Sequence, residues 1–217
     1  MENASPTILG LLGVSVGLGL VTFMVVVATS FVKVSVVLFL VRNALGVQQT
    51  PPNLVLYAIA LALTLYVSAP VIAAIQTELS GLSLSFESTR GWLEALEAAR
   101  GPVEEQLMRL TSETDRRFFV RASAEVWPEG QAAEPDPRSL TILIPSYLVA
   151  ELTRAFQIGF ILYLPFVVID LVVTTILMAM GMAMVSPNLI STPIKLFLFV
   201  AVEGWARLVQ GLVLSYA

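Results

Sequence analysis

The residues that could do chemistry in this chain are a few charged side chains that stand in long apolar stretches. Outside residues 76–140, the 217-residue sequence has only nine charges: Glu2, Lys33, Arg42, Glu151, Arg154, Asp170, Lys195, Glu203 and Arg207. Histidine and cysteine are both absent, which excludes imidazole bases, thiolate nucleophiles, disulfides and the usual zinc, copper and haem ligands. We therefore expect no metal and no cofactor, and little catalytic chemistry is left.

Four of these charges are expected deep in apolar sequence, at Lys33, Asp170, Glu203 and Arg207. An unpaired charge in a bilayer costs on the order of 2.5–3.5 kcal/mol even on the lenient insertion scales. Asp170 and Glu203 should therefore be hydrogen-bonded inside an assembly or face a water-filled vestibule, in preference to a proton relay. Arg207 follows Glu203 by four residues, which predicts a local ion pair. For Lys33, a helix bend and a partner acid both remain open.

Glu151 and Lys195 are expected at the edges of the third and fourth apolar stretches. Two interpretations are open from the residues alone. Either side chain can anchor a helix end by reaching the membrane surface, or the two charges can form an ion pair. Arg154 and Gln157 follow Glu151 at helical spacing and are expected at the water-facing start of the same helix.

Methionine is concentrated at one turn. Four of the seven methionines alternate with other residues at Met178, Met180, Met182 and Met184. Methionine is unbranched, flexible and polarisable, so it can fill an irregular helix end or close a constriction that yields to a passing chain. The residues alone favour adaptable filler.

Composition indicates what kind of protein must position these residues. Hydrophobic residues make up 57% of the chain and charged residues 13%, and the mean hydropathy is +0.84. A soluble domain of this length cannot hide so much apolar surface, so the excess must face lipid or partner subunits. The net charge of −4 and the lack of a Lys/Arg cluster exclude nucleic acid as the expected partner.

Four long apolar stretches cover residues 8–41, 54–75, 158–185 and 194–216. The first would be roughly 50 Å long as one helix, against about 30 Å for a bilayer core. It should therefore bend, tilt strongly or stand partly outside lipid, and four glycines offer close contacts or flexible points: Gly10, Gly13, Gly17 and Gly19. The sequence predicts an all-α, multispanning helical membrane protein with about four long hydrophobic helices, arranged as two helical hairpins.

The charges divide the chain into three parts: an N-terminal hydrophobic hairpin at 1–75, a hydrophilic segment at 76–140 and a C-terminal hydrophobic hairpin at 141–217. The middle part holds twelve of the sixteen acids and seven of the twelve bases. Its apolar residues recur at helical spacing, which predicts a mostly helical insert. Its prolines predict an irregular strip at residues 122–138.

Orientation follows from the crossings and from one arginine. Four crossings would place both termini and residues 76–140 on one side of the membrane. Arg42 stands beside a short, proline-closed loop and favours that loop as cytoplasmic, so residues 76–140 are expected to be periplasmic or extracellular. A cleavable signal is not expected, because Glu2 replaces the positive start and no small-x-small site follows a short apolar core.

Three sequence motifs go beyond general hydrophobicity. The first is RNALGVQQTPPN at residues 42–53, the second is PSYLVAELTRAFQIGF at 145–160, and the third joins PFVVIDL at 165–171 to STPIKLFLFV at 191–200. With them, the chain resembles the FliP/SctR family, the export-gate proteins of bacterial type III secretion systems. The resemblance covers nearly all of the chain outside residues 76–140. The short length and the expected lack of a signal favour the injectisome branch over the flagellar branch.

The resemblance implies partners and a location that composition cannot supply. It implies a non-enzymatic subunit that forms a homo-oligomer, a pentamer, in lipid of the bacterial inner membrane. Its partners would be the smaller membrane proteins of the SctS/FliQ and SctT/FliR families and the unfolded polypeptides that pass through the channel. Relatives carry an acid and a lysine that meet across neighbouring subunits, and the matching positions are Glu151 and Lys195.

The resemblance also reverses the preference at the methionine turn. A methionine triplet is thought to seal the channel in relatives, and it reads Met182-Ala183-Met184 here, without the central methionine. The implied gasket is lined by Met182 and Met184, with Gly181 as the hinge that turns the loop inward. Met180 would supply bulk that Ala183 lacks.

Two other functions were weighed against an export gate. A proton- or solute-coupled transporter is motivated by Asp170, Glu203 and Lys195, but transporters commonly show paired repeats and no convincing repeat is found. A membrane hydrolase would need a nucleophile with a base, and the absence of His and Cys leaves only Ser/Lys or paired-carboxylate schemes. Glu151 and Asp170 lie nineteen residues apart across a proline and form no such local constellation.

Overall fold

The protein is all helical over the part that the computed structural model describes, which is residues 26–47, 49–82, 89–127, 135–182 and 184–217 with Ser15 and Gly19. The seven helices bounded within these ranges are α1 (Phe31–Ala44), α2 (Asn53–Ser80), α3 (Thr89–Leu110), α4 (Glu113–Val126), α5 (Leu140–Ala179), α6 (Asn188–Ala201) and α7 (Gly204–Leu214). These ranges contain no strand, so the all-α prediction is confirmed for them.

The chain divides into two compact units, residues 1–32 with 71–150 and residues 33–70 with 151–217. The first unit has a small core in which α3 meets the first turns of α5. Its centre is formed by Leu107, Leu143 and Tyr147, each at most 1% exposed. These contacts hold the hydrophilic α3 against the start of the longest helix.

A capped corner joins α3 to α4 in the first unit. The side chain of Ser112 accepts the backbone N–H of Asp115 at 3.1 Å, which satisfies one free donor at the start of α4. Arg116 donates to the carbonyls of Met108 at 3.3 Å and Thr111 at 2.8 Å. A cation there satisfies carbonyls that the end of α3 leaves free. The predicted helical insert is therefore confirmed over α3 and most of α4, whereas residues 122–126, which were expected in the irregular strip, are the last turn of α4.

Acidic and basic residues of the insert pair with each other along the exposed surfaces of α3 and α4. Arg100 contacts Glu104 at 2.7 Å and Arg117 contacts Glu113 at 2.5 Å, both at four-residue spacing. The hydrogen bond from Arg100 to Glu104 raises the pKa of the guanidinium. Exposed pairs of this kind contribute little to stability because water and salt screen them.

The helix of the first apolar stretch is interrupted just before Lys33, the one charged residue of that stretch. Residues 26–28 are helical, Thr29 and Ser30 form a bend and a turn, and α1 begins at Phe31. The predicted departure from one straight helix is confirmed at this point. Three of the glycines proposed as flexible points, Gly10, Gly13 and Gly17, lie outside the described residues, and the fourth, Gly19, is exposed.

Two helices in the part of the chain that the structure describes are long and apolar enough to cross a membrane. The predicted stretch 54–75 is confirmed as the 28-residue α2. The stretch predicted to begin at residue 158 is part of the 40-residue α5, which begins at Leu140. The predicted start was wrong because charge was taken to mark a helix end, whereas a helix can carry charged residues wherever partners pair them.

The fourth predicted helix is wrong as a single element. It consists of α6 and α7, which are bent by 62° at a short break, so the described residues contain two candidate spans, or three if the bent pair counts as one. Glu203 occupies the break in the left-handed conformation, with φ of 56° and ψ of 41°. Beside it, a Cβ on Gly204 would overlap the ring of Phe199. The bend therefore depends on one unusual backbone conformation and one close ring contact.

Candidate functional site

Glu151 is the centre of a buried ionic network in the second unit. Its side chain is 0% exposed. One carboxylate oxygen lies 3.0 Å from Arg154 on the same helix, and the other lies 3.5 Å from the ammonium group of Lys33 on α1. The hydroxyl of Tyr216, just after α7, donates to that second oxygen. A buried carboxylate needs such partners, because an unpaired one would cost several kcal/mol.

Lys33 and Tyr216 also contact each other directly. The ammonium nitrogen of Lys33 lies 3.4 Å from the centroid of the Tyr216 ring. Lys33 is 1% exposed, so its charge is stabilised by the face of the ring as well as by the carboxylate of Glu151. Of the two alternatives left open for Lys33, a contact with an acid is the one observed.

Lys195 forms a second buried pair in the same unit. Its ammonium nitrogen lies 2.6 Å from Oδ2 of Asp170 on α5, and it donates at 3.1 Å to the carbonyl of Ala44, the last residue of α1. A cation at the carbonyl end of a helix is favourable. Lys195 is 4% exposed and therefore does not reach the membrane surface as a helix-end anchor.

Close packing of small residues brings these helices together. A Cβ on Gly46 would lie 2.8 Å from Oγ1 of Thr192, which precedes Lys195 by three residues. A Cβ on Gly159 would overlap the Cδ1 atom of Leu40, on α1. Glycine at both positions lets backbone approach a neighbouring side chain, and the charged groups of α1, α5 and α6 then come within reach of each other.

Arg42 closes the turn between α1 and α2. Its guanidinium donates to the carbonyl of Pro51 at 3.3 Å and to the side-chain oxygen of Asn53 at 2.5 Å. Its cationic carbon also lies 4.9 Å from the ring centroid of Phe39. The first motif, residues 42–53, is thus a turn whose two ends are held together by one arginine.

The methionine turn lies between α5 and α6 and is highly exposed. Gly181 has φ of +74°, and its N–H donates to Met178 while the N–H of Met182 donates to Leu177, at 3.0 and 2.9 Å. This pair of bonds is the Schellman arrangement that ends a helix with glycine in the left-handed region. The side chains of Met182 and Met184 are 40% and 101% exposed. Gly181 therefore ends the helix, and whether it acts as a hinge stays a prediction.

Two predictions about the charged residues need correction. Glu151 was expected at the edge of an apolar helix, but it lies inside α5, twelve residues from its start and 0% exposed. Glu203 and Arg207 were expected to pair, but the contact recorded between them is the backbone N–H of Arg207 donating to the Glu203 carbonyl at 3.1 Å. The left-handed backbone at Glu203 places it before α7 instead of on its face.

The network includes two residues that were not predicted to belong to a site. Arg154 was placed at a water-facing helix start, although its three-residue spacing from Glu151 gave a signal for the ion pair. No sequence pattern indicated a role for Tyr216, because its contact with Glu151 spans 65 residues of sequence. The predicted pairing of Glu151 with Lys195 of a neighbouring subunit concerns two chains and stays a prediction.

Two of the described helices are long and apolar enough to span a membrane, and ion pairs join α5 to α1 and to α6, which fits the class of helical membrane proteins. The sequence pattern of the FliP family matches residues 14–212. The chain is 56% identical over 216 residues to the probable translocation protein y4yL of Sinorhizobium fredii, covering 100% of this chain and 97% of the relative.

Two further relatives come from Yersinia pestis and Salmonella typhimurium. The Yop proteins translocation protein R of Yersinia pestis is 49% identical over 191 residues, or 88% of each chain. The virulence protein YscR of Salmonella typhimurium is 38% identical over 210 residues, covering 96% of this chain and 97% of the relative. The chain therefore belongs to the FliP family, and the resemblance seen in the three motifs is confirmed.

Proposed function

We propose that this chain is a core subunit of the export gate of a type III secretion system of the injectisome branch. The observation that carries the proposal is the family match over residues 14–212, which includes both helices able to span a membrane. The names of its relatives, which concern translocation and virulence, support the same function. The role is structural and gating, without a catalytic step.

Assembly in the bacterial inner membrane is part of the proposal. Five copies would form the homo-oligomer, joined by the smaller SctS/FliQ and SctT/FliR proteins, with residues 76–140 on the periplasmic side. The exposed apolar side chains of α2 and α5 support this, because Leu54, Tyr66, Phe160 and Ile161 are each at least 66% exposed. Such surfaces require lipid or protein to cover them.

Within that oligomer, two groups of residues would have distinct roles. Glu151 of one subunit would pair with Lys195 of its neighbour, and Met182 and Met184 would line the constriction through which unfolded polypeptides pass. Gly181 would let the loop turn inward, and Met180 would add bulk beside Ala183. The high exposure of the turn in the single chain supports its availability to neighbouring copies.

Deletion and purification test the proposal together. Removing the gene from the bacterium that encodes the chain should abolish secretion of injectisome substrates, and a plasmid copy should restore it. Native mass spectrometry of the affinity-tagged chain, extracted in mild detergent, should show five copies with smaller membrane partners. Normal secretion in the deletion strain, or a particle with one copy and no partner in every mild detergent, would overturn it.

A further inference from the structure

Both members of the proposed intersubunit pair are already engaged within the single chain. Glu151 contacts Lys33, Arg154 and Tyr216 and is fully buried. Lys195 contacts Asp170 and the Ala44 carbonyl. Neither side chain can reach a neighbouring subunit while all of these contacts hold, so assembly must open at least one of them on each side.

Among the contacts of Glu151 with buried partners, the one with Tyr216 can open at least cost. Separating Glu151 from Lys33, which is 1% exposed, would leave a buried ammonium without its carboxylate. Tyr216 is neutral, so its withdrawal leaves no buried charge behind. Tyr216 lies just after α7. The centroid of its ring lies 3.4 Å from the ammonium nitrogen of Lys33, and its hydroxyl donates to the same Glu151 oxygen that Lys33 contacts.

Lys195 must also leave its partner Asp170 before it can contact a neighbouring subunit. The side chain of Asp170 is 37% exposed, so water can reach part of it when Lys195 turns away, while its Oδ1 atom stays buried without a hydrogen-bond partner. Arg154 is 40% exposed and can turn toward solvent as a further cation approaches Glu151. Both changes keep the buried Lys33–Glu151 pair intact.

We propose that Tyr216 is a latch that covers Glu151 in the single subunit and withdraws when the neighbouring subunit's Lys195 takes its place. This inference rests on the intersubunit pair of the proposed function and adds its regulation. While Tyr216 is in place, it prevents other cations from contacting the Glu151 carboxylate until a correctly placed neighbouring subunit is present. Tyr216 is thus a positioning residue for assembly and has no contact with exported substrate in this proposal.

The experiment compares Tyr216→Phe with the wild-type chain in two measurements. The substitution removes the hydroxyl and keeps the ring over Lys33. Detergent-purified single subunits should form oligomers about tenfold faster, because a hydrogen bond to a buried charge no longer has to break first. Amide exchange in α7 of the single subunit should also become faster. Tyr66→Phe is the matched control, because Tyr66 is 70% exposed on α2, and it should change neither measurement.

A combined variant separates a latch from general loosening. Adding Lys195→Met to Tyr216→Phe should cancel the faster assembly and leave the faster exchange of α7, because the cation that replaces Tyr216 is gone. Oligomer formation by Tyr216→Phe at the wild-type rate, or more slowly, overturns the latch and leaves the proposed function intact. Failure of the wild-type chain itself to form any oligomer overturns the proposed function, and the latch with it.

Discussion

Glu151 shows how much a single buried carboxylate requires from the chain around it. Two cations and one hydroxyl, on residues as far apart as 33 and 216, share its two oxygens. Asp170 and Lys195 form another ion pair of the second unit. Because these two charges hold each other in place, two of the three residues that motivated a transporter have a structural explanation instead.

The intersubunit pair predicts a specific pattern for charge reversal. Glu151→Lys or Lys195→Glu alone should weaken oligomer formation and block export, since each puts a like charge against its partner. The double reversal should restore part of both activities if the pair joins two subunits. Oligomer mass by native mass spectrometry and secreted substrate measure the two effects.

The contacts within the chain make this test discriminating. In the double variant, the new lysine at 151 would face Lys33 and Arg154, and the new glutamate at 195 would face Asp170. Contacts within one chain would therefore become worse, not better. Partial recovery supports pairing between subunits, whereas a double variant as defective as the worse single variant shows that the charges act only within the chain.

Glu203 stores backbone strain that a glycine should release. An L-residue in the left-handed region costs roughly 1–2 kcal/mol, and glycine lacks the Cβ that causes the cost. Glu203→Gly should therefore stabilise the chain by up to about 1 kcal/mol, after its greater freedom in the unfolded state is subtracted. Thermal unfolding in detergent, followed by circular dichroism, measures the change.

Glu203→Ala is the control for the carboxylate itself. Alanine removes the charge and keeps the Cβ, so this variant should not gain the stability of the glycine variant. Equal stabilisation by both substitutions would show that the charge is the source of the cost and would contradict the strain argument. Normal secretion by both variants would further exclude a proton relay through this residue.

Sequence could identify these residues more readily than their partners. Lys33, Glu151, Asp170 and Lys195 stand out because a charge in apolar sequence needs a reason. Their partners depend on helices that meet far from one another in sequence, and a contact over 65 residues leaves no local pattern. Of the contacts that Glu151 makes, only the one with Arg154, at three-residue spacing, could be predicted from the sequence.

At the scale of helices, Gly159 controls how closely α5 approaches α1. A Cβ there would overlap Cδ1 of Leu40 and lie 3.3 Å from its Cβ. Gly159→Ala should destabilise the chain by about 1–3 kcal/mol, as overpacking does. Leu40→Ala in the same chain should recover part of the loss by removing the atoms that clash.

Gly211→Ala is the matched control within the same unit, because a Cβ there meets nothing within 4 Å. It should stabilise α7 by roughly 0.5–1 kcal/mol, the ordinary gain of alanine over glycine in a helix. Thermal unfolding of the three variants and the wild-type chain in one detergent compares them directly. A Gly159→Ala chain as stable as the Gly211→Ala chain would show that the close contact is not required.

Helix type was predictable here, but helix ends and breaks were not. The apolar run of α2 is long and free of charge, so composition was enough to identify it. The early start of α5 depends on ion pairs and a core that accept polar residues inside a helix. The break before α7 depends on the contact of Phe199 with Gly204, a packing detail that hydropathy does not contain.

For the whole molecule, the pattern of buried charges and exposed apolar surfaces is suited to a protein that assembles with partners. The ionic networks fix the second unit internally, while the long apolar faces of α2 and α5 stay exposed in the single chain. Because neither face is covered from within, lipid or partner proteins must cover them. In the proposed oligomer, the exposed methionine turn would be available to the other copies.

The final prediction concerns what that turn does in the assembled ring. Replacing Met182 and Met184 together with alanine should leave oligomer formation intact, because their exposed side chains, 40% and 101%, contribute little to the packing of the single chain. The same change should let small solutes leak across the membrane, since the constriction loses flexible side-chain volume. Dye or ion flux through proteoliposomes that contain the purified complex measures the leak.

Met108→Ala separates lost volume at the seal from methionine loss in general. Met108 packs against the core of the first unit, so its removal should lower stability and leave the membrane tight. If the Met182/Met184 variant assembles, excludes small molecules and exports at the normal rate, the turn is ordinary packing at a helix end. A leak confined to that variant would instead place the seal at these two residues, with Gly181 required by the backbone of the turn.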